Sequence, residues 1–345
     1  MTLPFQPPIE PMLAAQGEEI PVGEGWLYEP KWDGFRAIVF RDGDEVKLAS
    51  RKGQPLERYF PELVEWLKPP LAEACIVDGE IIIAGHEALD FDALLQRIHP
   101  AASRIKKLAQ ETPASFVAFD LLALGAEDLR KRRFDERRRM LAEAVRFDAH
   151  VLLTPQTDDP ELARGWFDRF EGAGLDGIVA KRTELPYVEG ERVMVKVKHE
   201  RTADCVVGGF RAGKNGGVGS LLLGLYDGNG VLQHIGHTSS FSAKEKREVL
   251  EKLQPLVGGS SFGAGRTPGS PSRWSQGKDL SWTAVSPELV CEVKFDHLQG
   301  DRFRHAATFL RWRPDKGPRQ CTFEQLRPPH PFRLEDLPHA AAARE

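Results

Sequence analysis

Several features that often fix the class of a protein are scarce in this sequence of 345 residues. Its four cysteines are scattered and form no C-x-x-C pair, which argues against a disulfide framework or a cysteine zinc site and favours a reducing compartment. No apolar run reaches the roughly 18–20 residues that span a bilayer, and the Pro-rich start lacks the pattern of a secretory signal. We therefore expect a cytoplasmic protein that does not contact membranes.

An excess of positive charge is also lacking, because the formal net charge is −4. Taken alone, this balance argues against a nucleic-acid partner. Basic residues are nevertheless concentrated at 104–107, 130–133, 137–139 and 302–316. A local basic patch can attract a polyanion even on an acidic protein, although each cluster has the alternative of being a solvated helix face.

The length exceeds the usual size of one hydrophobic core, and the patterning changes near Lys198. Before this point, short apolar strands alternate with amphipathic helices; after it, short strands and glycine-rich turns surround one helix that begins with a capping box at Ser242. We predict an α+β fold with a mixed domain over 1–200, an oligonucleotide-binding (OB) β-barrel over 201–328 and a loosely ordered tail over 329–345.

The individual elements follow from the same patterns. Predicted strands occupy 35–40, 76–83, 115–122, 177–180 and 192–198 in the first domain, and 205–210, 221–226, 231–235, 289–295 and 307–312 in the second. Predicted helices follow Asp90, cover 162–170 and extend from the capping box to Leu253. Residues 227–230 indicate a hairpin turn, and 258–272 a loop.

The strongest chemical signal is Lys31-Trp32-Asp33-Gly34. Gly34 permits close backbone approach in a turn that enters a strand. A lysine attacks phosphorus only as the neutral amine, so a pKa of about 10.4 in water must be lowered by burial or by nearby cations. The K-x-D-G pattern alone is weak, since a surface lysine before a turn gives the same letters.

Two further patterns depend on strand parity. Asp78 and Glu80 lie two residues apart, so their carboxylates share one face of an apolar strand and must be solvated, paired or metal-bound. Lys196 and Lys198 also share a face, where two like charges repel unless an anion such as a triphosphate lies between them. In each case a solvated strand is the alternative.

Corroboration comes from a series of motifs in order along the chain. Lys31 to Arg36 resembles the first motif of the covalent nucleotidyltransferases, the superfamily of ATP-dependent DNA ligases, RNA ligases and capping enzymes. Later motifs resemble those of the same superfamily: Ser50-Arg51-Lys52-Gly53, Asp78-Gly79-Glu80, Phe116 to Leu122, Leu175 to Arg182, Val195 to Lys198, and Arg311 to Lys316, which ends in R-x-D-K. The resemblance implies a nucleotidyltransferase (ATP-grasp-like adenylation) domain followed by the OB-fold.

The resemblance also implies roles for individual residues. It assigns catalysis to Lys31, Asp33, Arg313, Asp315 and Lys316. It assigns nucleotide binding to Glu29, Arg36, Arg51, Glu80, Phe119, Lys196, Lys198 and Arg311. Among these, Glu29 would accept the adenine N6 hydrogen, Phe119 would stack on the purine, and the R-x-D-K side chains would act on pyrophosphate.

The implied metal is Mg²⁺, with Mn²⁺ possible, held by Glu80 and Asp176. Most members of the superfamily have glutamate at the position of Asp176, so direct coordination by this shorter carboxylate is the less secure part of the assignment.

Within the superfamily, the closest resemblance is to the small stand-alone bacterial DNA ligases of the C type, in part because Lys31 lies near the start of the sequence. The implied activity is ATP-dependent sealing of nicked double-stranded DNA by a monomer, in DNA repair. Alternatives are a capping-type guanylyltransferase, an RNA ligase and a non-enzymatic OB-fold protein that binds nucleic acid.

Overall fold

The computed structural model describes residues 3–85, 88–170, 173–175, 177–213, 216–263, 268 and 280–327. These residues divide into two compact units at His199 and Glu200. Asp176, the tail 329–345 and most of the second half of the predicted loop 258–272 lie outside the described residues.

The first unit contains ten strands and five helices among its described residues. Its strands are β1 (Leu13–Gln16), β2 (Trp26–Pro30), β3 (Phe35–Asp42), β4 (Glu45–Ser50), β5 (Ala74–Ile82), β6 (Ser115–Leu124), β7 (Glu127–Asp128), β8 (Val151–Leu153), β9 (Gly177–Arg182) and β10 (Arg192–Lys198). Its α-helices are α1 (Pro61–Trp66), α2 (Phe91–Arg97), α3 (Ala102–Glu111), α4 (Phe134–Ala144) and α5 (Pro160–Phe170).

These strands form two sheets. The larger has the order β4-β3-β5-β6-β7, with β8 parallel to β6, and the smaller has the order β1-β10-β9-β2. Side chains of β3 alternate between two cores: Ala37 and Val39 pack with α1 and α4 residues, whereas Ile38 and Phe40 pack with Met194 of the smaller sheet. The two sheets therefore face each other, and helices cover the outer side of the larger one.

Helix α5 covers the outer side of the smaller sheet. Ala163, Trp166 and Phe170 of this helix pack against Tyr28 and Ile178, which lie on β2 and β9. Their spacing of three and four residues is the apolar stripe of an amphipathic helix. The first unit is thus a layered structure in which the two sheets form the centre.

The second unit is an antiparallel barrel. Its strands are β11 (Arg201–Ala212), β12 (Val218–Tyr226), β13 (Leu232–Thr238), β14 (Thr283–Ala284), β15 (Val290–Phe295), β16 (Leu298–Gln299), β17 (Arg302–Phe303) and β18 (Thr308–Trp312). The main sheet has the order β13-β12-β11-β15-β18, and a bridge from Thr238 to Ala307 brings its two ends together. Helix α6 (Ala243–Leu253) contributes Val249 and Leu253 to the core. This arrangement confirms the predicted OB-fold.

Most predicted elements are present with altered bounds. The capping box at Ser242 is confirmed, since its hydroxyl accepts from the Glu245 N–H and the Glu245 carboxylate accepts from the Ser242 N–H. Asp90 caps α2 by accepting from the Ala93 N–H at 2.8 Å. The turn at 227–230 connects β12 and β13 as predicted. None of the helices in the described part of the chain has the length and apolar character of a membrane span.

The basic cluster at 137–139 has a structural role that its sequence does not indicate. Arg137 is fully buried and forms a two-pronged ion pair with Asp120, at 2.8 Å from Nε to Oδ1 and 2.9 Å from Nη2 to Oδ2. Its Nη1 donates to the carbonyls of Arg132 and Leu185. Arg138 is buried as well. The interpretation of 137–139 as a solvated face or a polyanion patch is therefore wrong for these two residues.

Replacing Arg137 by alanine is expected to lower the free energy of unfolding by about 3–5 kcal/mol, because Asp120 would remain as an unpaired buried charge. Arg139→Ala is the matched control: this side chain is 66% exposed and pairs with Glu143, so a change within about 0.5 kcal/mol is expected. Urea unfolding measures both. Equal losses in the two variants would contradict the role assigned to the buried pair.

Candidate active site

Lys31 lies where the chain passes from one sheet of the first unit to the other. Strand β2 of the smaller sheet ends at Pro30, and β3 of the larger sheet begins at Phe35. The backbone N–H of Lys31 donates to the carbonyl of Gly177 on β9 at 2.8 Å. The Trp32 ring is buried, and its Nε1 donates to the Thr154 hydroxyl at 2.9 Å. Both contacts fix the backbone that carries the Lys31 amine.

The requirement for glycine at position 34 is steric. A Cβ atom there would lie 2.2 Å from the carbonyl oxygen of Ile81 and 2.9 Å from Cγ of Glu80. The predicted close approach is therefore confirmed, and the neighbour is the backbone of β5. Gly177 is similar: its φ is +135° and a Cβ would lie 2.0 Å from the Val197 carbonyl oxygen.

A cleft opens beside this turn, with an empty volume, open mouth included, of about 880 Å³. Seven of the residues predicted to form the site line it: Glu29, Lys31, Arg36, Arg51, Glu80, Phe119 and Lys196. Lys181 and Arg192 line it too, together with apolar residues of β1 and β10.

The two carboxylates of β5 have different environments. Asp78 is buried; its oxygens accept from Nε and Nη2 of Arg36 at 2.6 Å each, and Oδ2 also accepts from the Tyr187 hydroxyl at 2.6 Å. Glu80 instead lines the cleft. Burial raises the pKa of Glu80 to about 7, although the charges of Arg36 and Lys31 oppose this rise. Glu80 is therefore the carboxylate that can meet a ligand.

One end of the cleft combines an aromatic ring with a buried ion pair. The Phe119 ring has Arg36 Cζ 4.4 Å and Lys181 Nζ 4.7 Å from its centroid. Lys181 Nζ lies 2.7 Å from Glu29 Oε2, and Gln156 Nε2 donates to Glu29 Oε1 at 3.2 Å. Both oxygens of Glu29 are thus engaged at the wall of the cleft.

Cationic side chains of β10 form another part of the cleft wall. Lys196 lies on β10 and lines the cleft. Burial lowers the pKa of Lys196, and the charges of Lys198, Lys31, Arg192 and Arg51 lower it further. Such crowding of cations is unfavourable without an anion, so this wall of the cleft is suited to a polyphosphate.

The R-x-D-K residues form a separate cluster in the second unit. Arg313 donates from Nε and Nη2 to Asp315, and from Nη1 to Asp204 Oδ1 at 2.8 Å. Lys316 Nζ donates to Asp204 Oδ2 at 2.6 Å. Arg311 Nε donates to Glu292 Oε2 at 2.6 Å. The hydrogen bond with Arg313 lowers the pKa of Asp315 to about 2.

The site thus contains most of the predicted residues and several that were missed. Asp33 and Lys198 lie near the cleft, since their charges act on Glu80 and on Lys196. The missed residues are Lys181, Arg192, Thr154 and Gln156 in the first unit and Asp204 in the second. Lys181 follows Val179 and Ala180 within a recognised motif and could have been found there. The other four lie outside the motifs, and the sequence around them gives no functional signal.

Comparison with known proteins agrees with this geometry. The family described as ATP dependent DNA ligase domain matches residues 11–198, and the ATP dependent DNA ligase C terminal region matches 214–316. The chain is 52% identical to DNA ligase C1 of Mycolicibacterium smegmatis over 98% of this chain and 99% of that protein. It is 51% identical to DNA ligase C of Mycobacterium tuberculosis, again over 98% and 99%.

A solved structure from a study of Lig E DNA ligases, 20% identical, aligns with 88% of this chain and 99% of its own, with a TM-score of 0.54. This likeness supports the fold alone. Cleft and barrel together define a nucleotidyltransferase with an OB-fold.

More narrowly, the chain belongs to the ATP-dependent DNA ligases. It is an enzyme that uses ATP and seals nicks in DNA, as the motif resemblance implied. The family assignment favours this activity over the capping, RNA-ligase and non-enzymatic alternatives.

Gly34→Ala is expected to lower the free energy of unfolding by about 1–3 kcal/mol and to weaken ATP binding, because the new methyl group forces β3 away from β5 and shifts Lys31. Gly165→Ala is the control within the same unit: it lies in helix α5, where its nearest neighbour is an Arg169 side-chain atom at 3.6 Å. There alanine should leave stability unchanged or raise it by up to about 1 kcal/mol. Urea unfolding and ATP titration test both, and two variants of equal stability would contradict the steric explanation.

Proposed function

We propose that Lys31 carries AMP during nick sealing and that the cleft of the first unit holds the nucleotide. The observation that supports this most directly is the position of Lys31 on an anchored turn, in one cleft with Glu80, Arg51 and Lys196. A nucleophile on anchored backbone beside a cluster of cations is an arrangement suited to attack on a polyphosphate.

Three transfers follow from this assignment. First, the lone pair of Lys31 Nζ forms a bond to the α-phosphorus of ATP; the bond to the bridging oxygen breaks, pyrophosphate leaves, and the amine gives up a proton to solvent. Next, a 5′-phosphate oxygen of the nicked strand attacks the same phosphorus, the bond to Nζ breaks, and Nζ takes up a proton from solvent to become the amine again. Finally, the 3′-hydroxyl attacks the activated 5′-phosphate, loses its proton and expels AMP.

The adenine would lie at the end of the cleft formed by Phe119 and Glu29. Phe119 is 8% exposed and presents a ring to the cleft, which suits stacking on a purine. A carboxylate accepts hydrogen bonds and donates none, so Glu29 favours the amino group of adenine over the carbonyl of guanine. Its ion pair with Lys181 at 2.7 Å holds it in one orientation.

The polyphosphate would lie against Lys196, Lys198 and Arg51. Each transfer places negative charge on phosphate oxygens, and fixed cations that already face this wall stabilise it without reorganisation. Arg36 also lines the cleft, but we do not assign it to the polyphosphate, because its Nε and Nη2 already donate to Asp78. We assign Arg36 to the ribose and to the support of Phe119.

A divalent cation fits the donor set at one point. Glu80 lines the cleft beside Lys31, and Mg²⁺ is commonly held by one or two carboxylates with substrate phosphates and water. Glu80 would therefore hold Mg²⁺, or Mn²⁺, with Asp176 as the second predicted carboxylate. Such an ion supplies charge neutralisation at the phosphates.

The side chains of the R-x-D-K motif are proposed to act in the first transfer only, by binding the leaving pyrophosphate. Arg313 and Lys316 supply two cations that are held in a fixed relation by Asp204. Pyrophosphate is absent from the second and third transfers, so those steps do not require them. The link between the units, at residues 199–200, is the proposed hinge for this exchange, because residues 201–204 already pair with β15.

The protein is further proposed to act as a monomer in the cytoplasm, in DNA repair. Its four cysteines are all unpaired thiols, which supports a reducing compartment.

Lys31→Ala should form no covalent nucleotide and should reduce sealing by at least roughly a thousand-fold, because the nucleophile is lost. Lys47→Ala removes an exposed lysine that pairs with Glu45 and should label normally. Incubation with ATP or GTP labelled at the α-phosphate, followed by denaturing gels, gives the answer. An adduct that persists in Lys31→Ala would falsify the assignment, and an adduct with GTP alone would indicate capping activity.

Arg313→Ala should slow lysyl-AMP formation by about 10²–10³-fold, because the charge that stabilises the leaving pyrophosphate is lost. Sealing of a nick that already carries AMP on its 5′-phosphate should stay near the wild-type rate. Arg319→Ala, which removes an exposed cation in the same unit, is the control. A variant that is slow in both reactions, or in neither, would contradict the assignment of Arg313 to the first transfer alone.

A further inference from the structure

We propose that Asp204 is a positioning residue that holds Arg313 and Lys316 as one unit for the first transfer. This inference rests on the proposed role of R-x-D-K in that step. Asp204 lies on β11, more than a hundred residues before the motif, and it belongs to none of the recognised motifs.

One carboxylate joins the two cations of the motif. Arg313 Nη1 donates to Oδ1 of Asp204 at 2.8 Å, and Lys316 Nζ donates to Oδ2 at 2.6 Å. Because the two carboxylate oxygens are a fixed distance apart, this contact sets the separation of the guanidinium and the ammonium group. Charge-assisted hydrogen bonds of this kind are stronger and more directional than neutral ones.

Asp204 is itself fixed through its backbone. Strand β15 pairs with it from one side, where Glu292 is its neighbour in register. The side-chain amide of Gln325 takes its other backbone groups: the Asp204 N–H donates to Gln325 Oε1 at 2.8 Å, and Gln325 Nε2 donates to the Asp204 carbonyl at 3.1 Å. The side-chain amide of Gln325 thus pairs with the Asp204 backbone as a neighbouring strand would. The backbone that carries the carboxylate is therefore held in the barrel.

The pairing leaves donors available for an anion. Lys316 has three N–H donors and uses one of them on Asp204. Arg313 directs Nε and Nη2 to Asp315 and Nη1 to Asp204, which fixes its plane. The cluster as a whole balances three carboxylates, those of Asp204, Glu292 and Asp315, against three cations. What distinguishes this site is therefore orientation rather than net charge, and orientation is what Asp204 supplies.

The test is Asp204→Asn in the full chain. Asparagine keeps the shape and the backbone contacts with Gln325, but its NH₂ group cannot accept from a cation. At saturating ATP, the single-turnover rate of lysyl-AMP formation should fall by at least roughly ten-fold, as expected when reacting groups are misplaced. Sealing of a pre-adenylylated nick should change by less than about two-fold, because R-x-D-K does not act in that step.

A double-mutant cycle separates positioning from a general structural role. In a chain that carries Arg313→Ala and Lys316→Ala, adding Asp204→Asn should have almost no further effect on the first transfer, because its targets are gone. Glu248→Gln is the matched control, since Glu248 lies on α6 of the same unit, pairs with Lys244 at 3.5 Å and belongs to none of the ion pairs of the motif. It should react normally in both assays.

If Asp204→Asn does not fold, Asp204→Glu replaces it. Glutamate keeps the charge and the ion pairs but displaces the carboxylate by about one bond length, so the first transfer should slow several-fold while sealing of the pre-adenylylated nick is retained. An unchanged or faster first transfer in either variant, or an equal loss in both reactions, overturns the proposal. Absence of any adduct in the wild-type chain would instead count against the proposed function.

Discussion

The proposed active-site cleft depends on one constraint, the fixation of the short turn by which the chain leaves the smaller sheet and enters the larger one. The Lys31 backbone is bound to Gly177, the Trp32 ring to Thr154, and Gly34 lies against the backbone of β5. Each of these contacts restricts the position of a different residue of the turn. A backbone fixed in this way limits the positions that the Lys31 amine can reach.

Three ion pairs fix further side chains of the same unit. Arg36 with Asp78, Lys181 with Glu29, and Arg137 with Asp120 all lie among apolar side chains of the two sheets. Ion pairs of this kind give little net stability compared with apolar residues, but removal of one partner is costly. For the first two pairs the value is geometric, because they hold Arg36, Lys181 and Glu29, which line the cleft, in fixed orientations.

Much of the fold could be predicted because its signals are local. The capping box at Ser242, the turn at 227–230 and the strand that carries Asp78 follow from neighbouring letters. Parity also placed Asp78 and Glu80 on one face. It could not say that Asp78 would be sealed by Arg36 and Tyr187 while Glu80 would face the cleft, because Tyr187 lies 109 residues from Asp78 and its contact is purely tertiary. Arg137 was misread for the same reason.

The residues that sequence reasoning missed share a physical character. Thr154, Gln156, Asp204 and Gln325 form hydrogen bonds with other side chains or with backbone groups, and none is assigned to contact the nucleotide. Motifs record the groups that touch the substrate, since only certain residue types can do that chemistry. A supporting group needs only a hydrogen-bonding atom at the right place, and many residue types at many positions can supply one. Part of the geometry around the proposed sites is therefore set by residues whose types give no sign of a function. Such residues can be identified only from the tertiary structure.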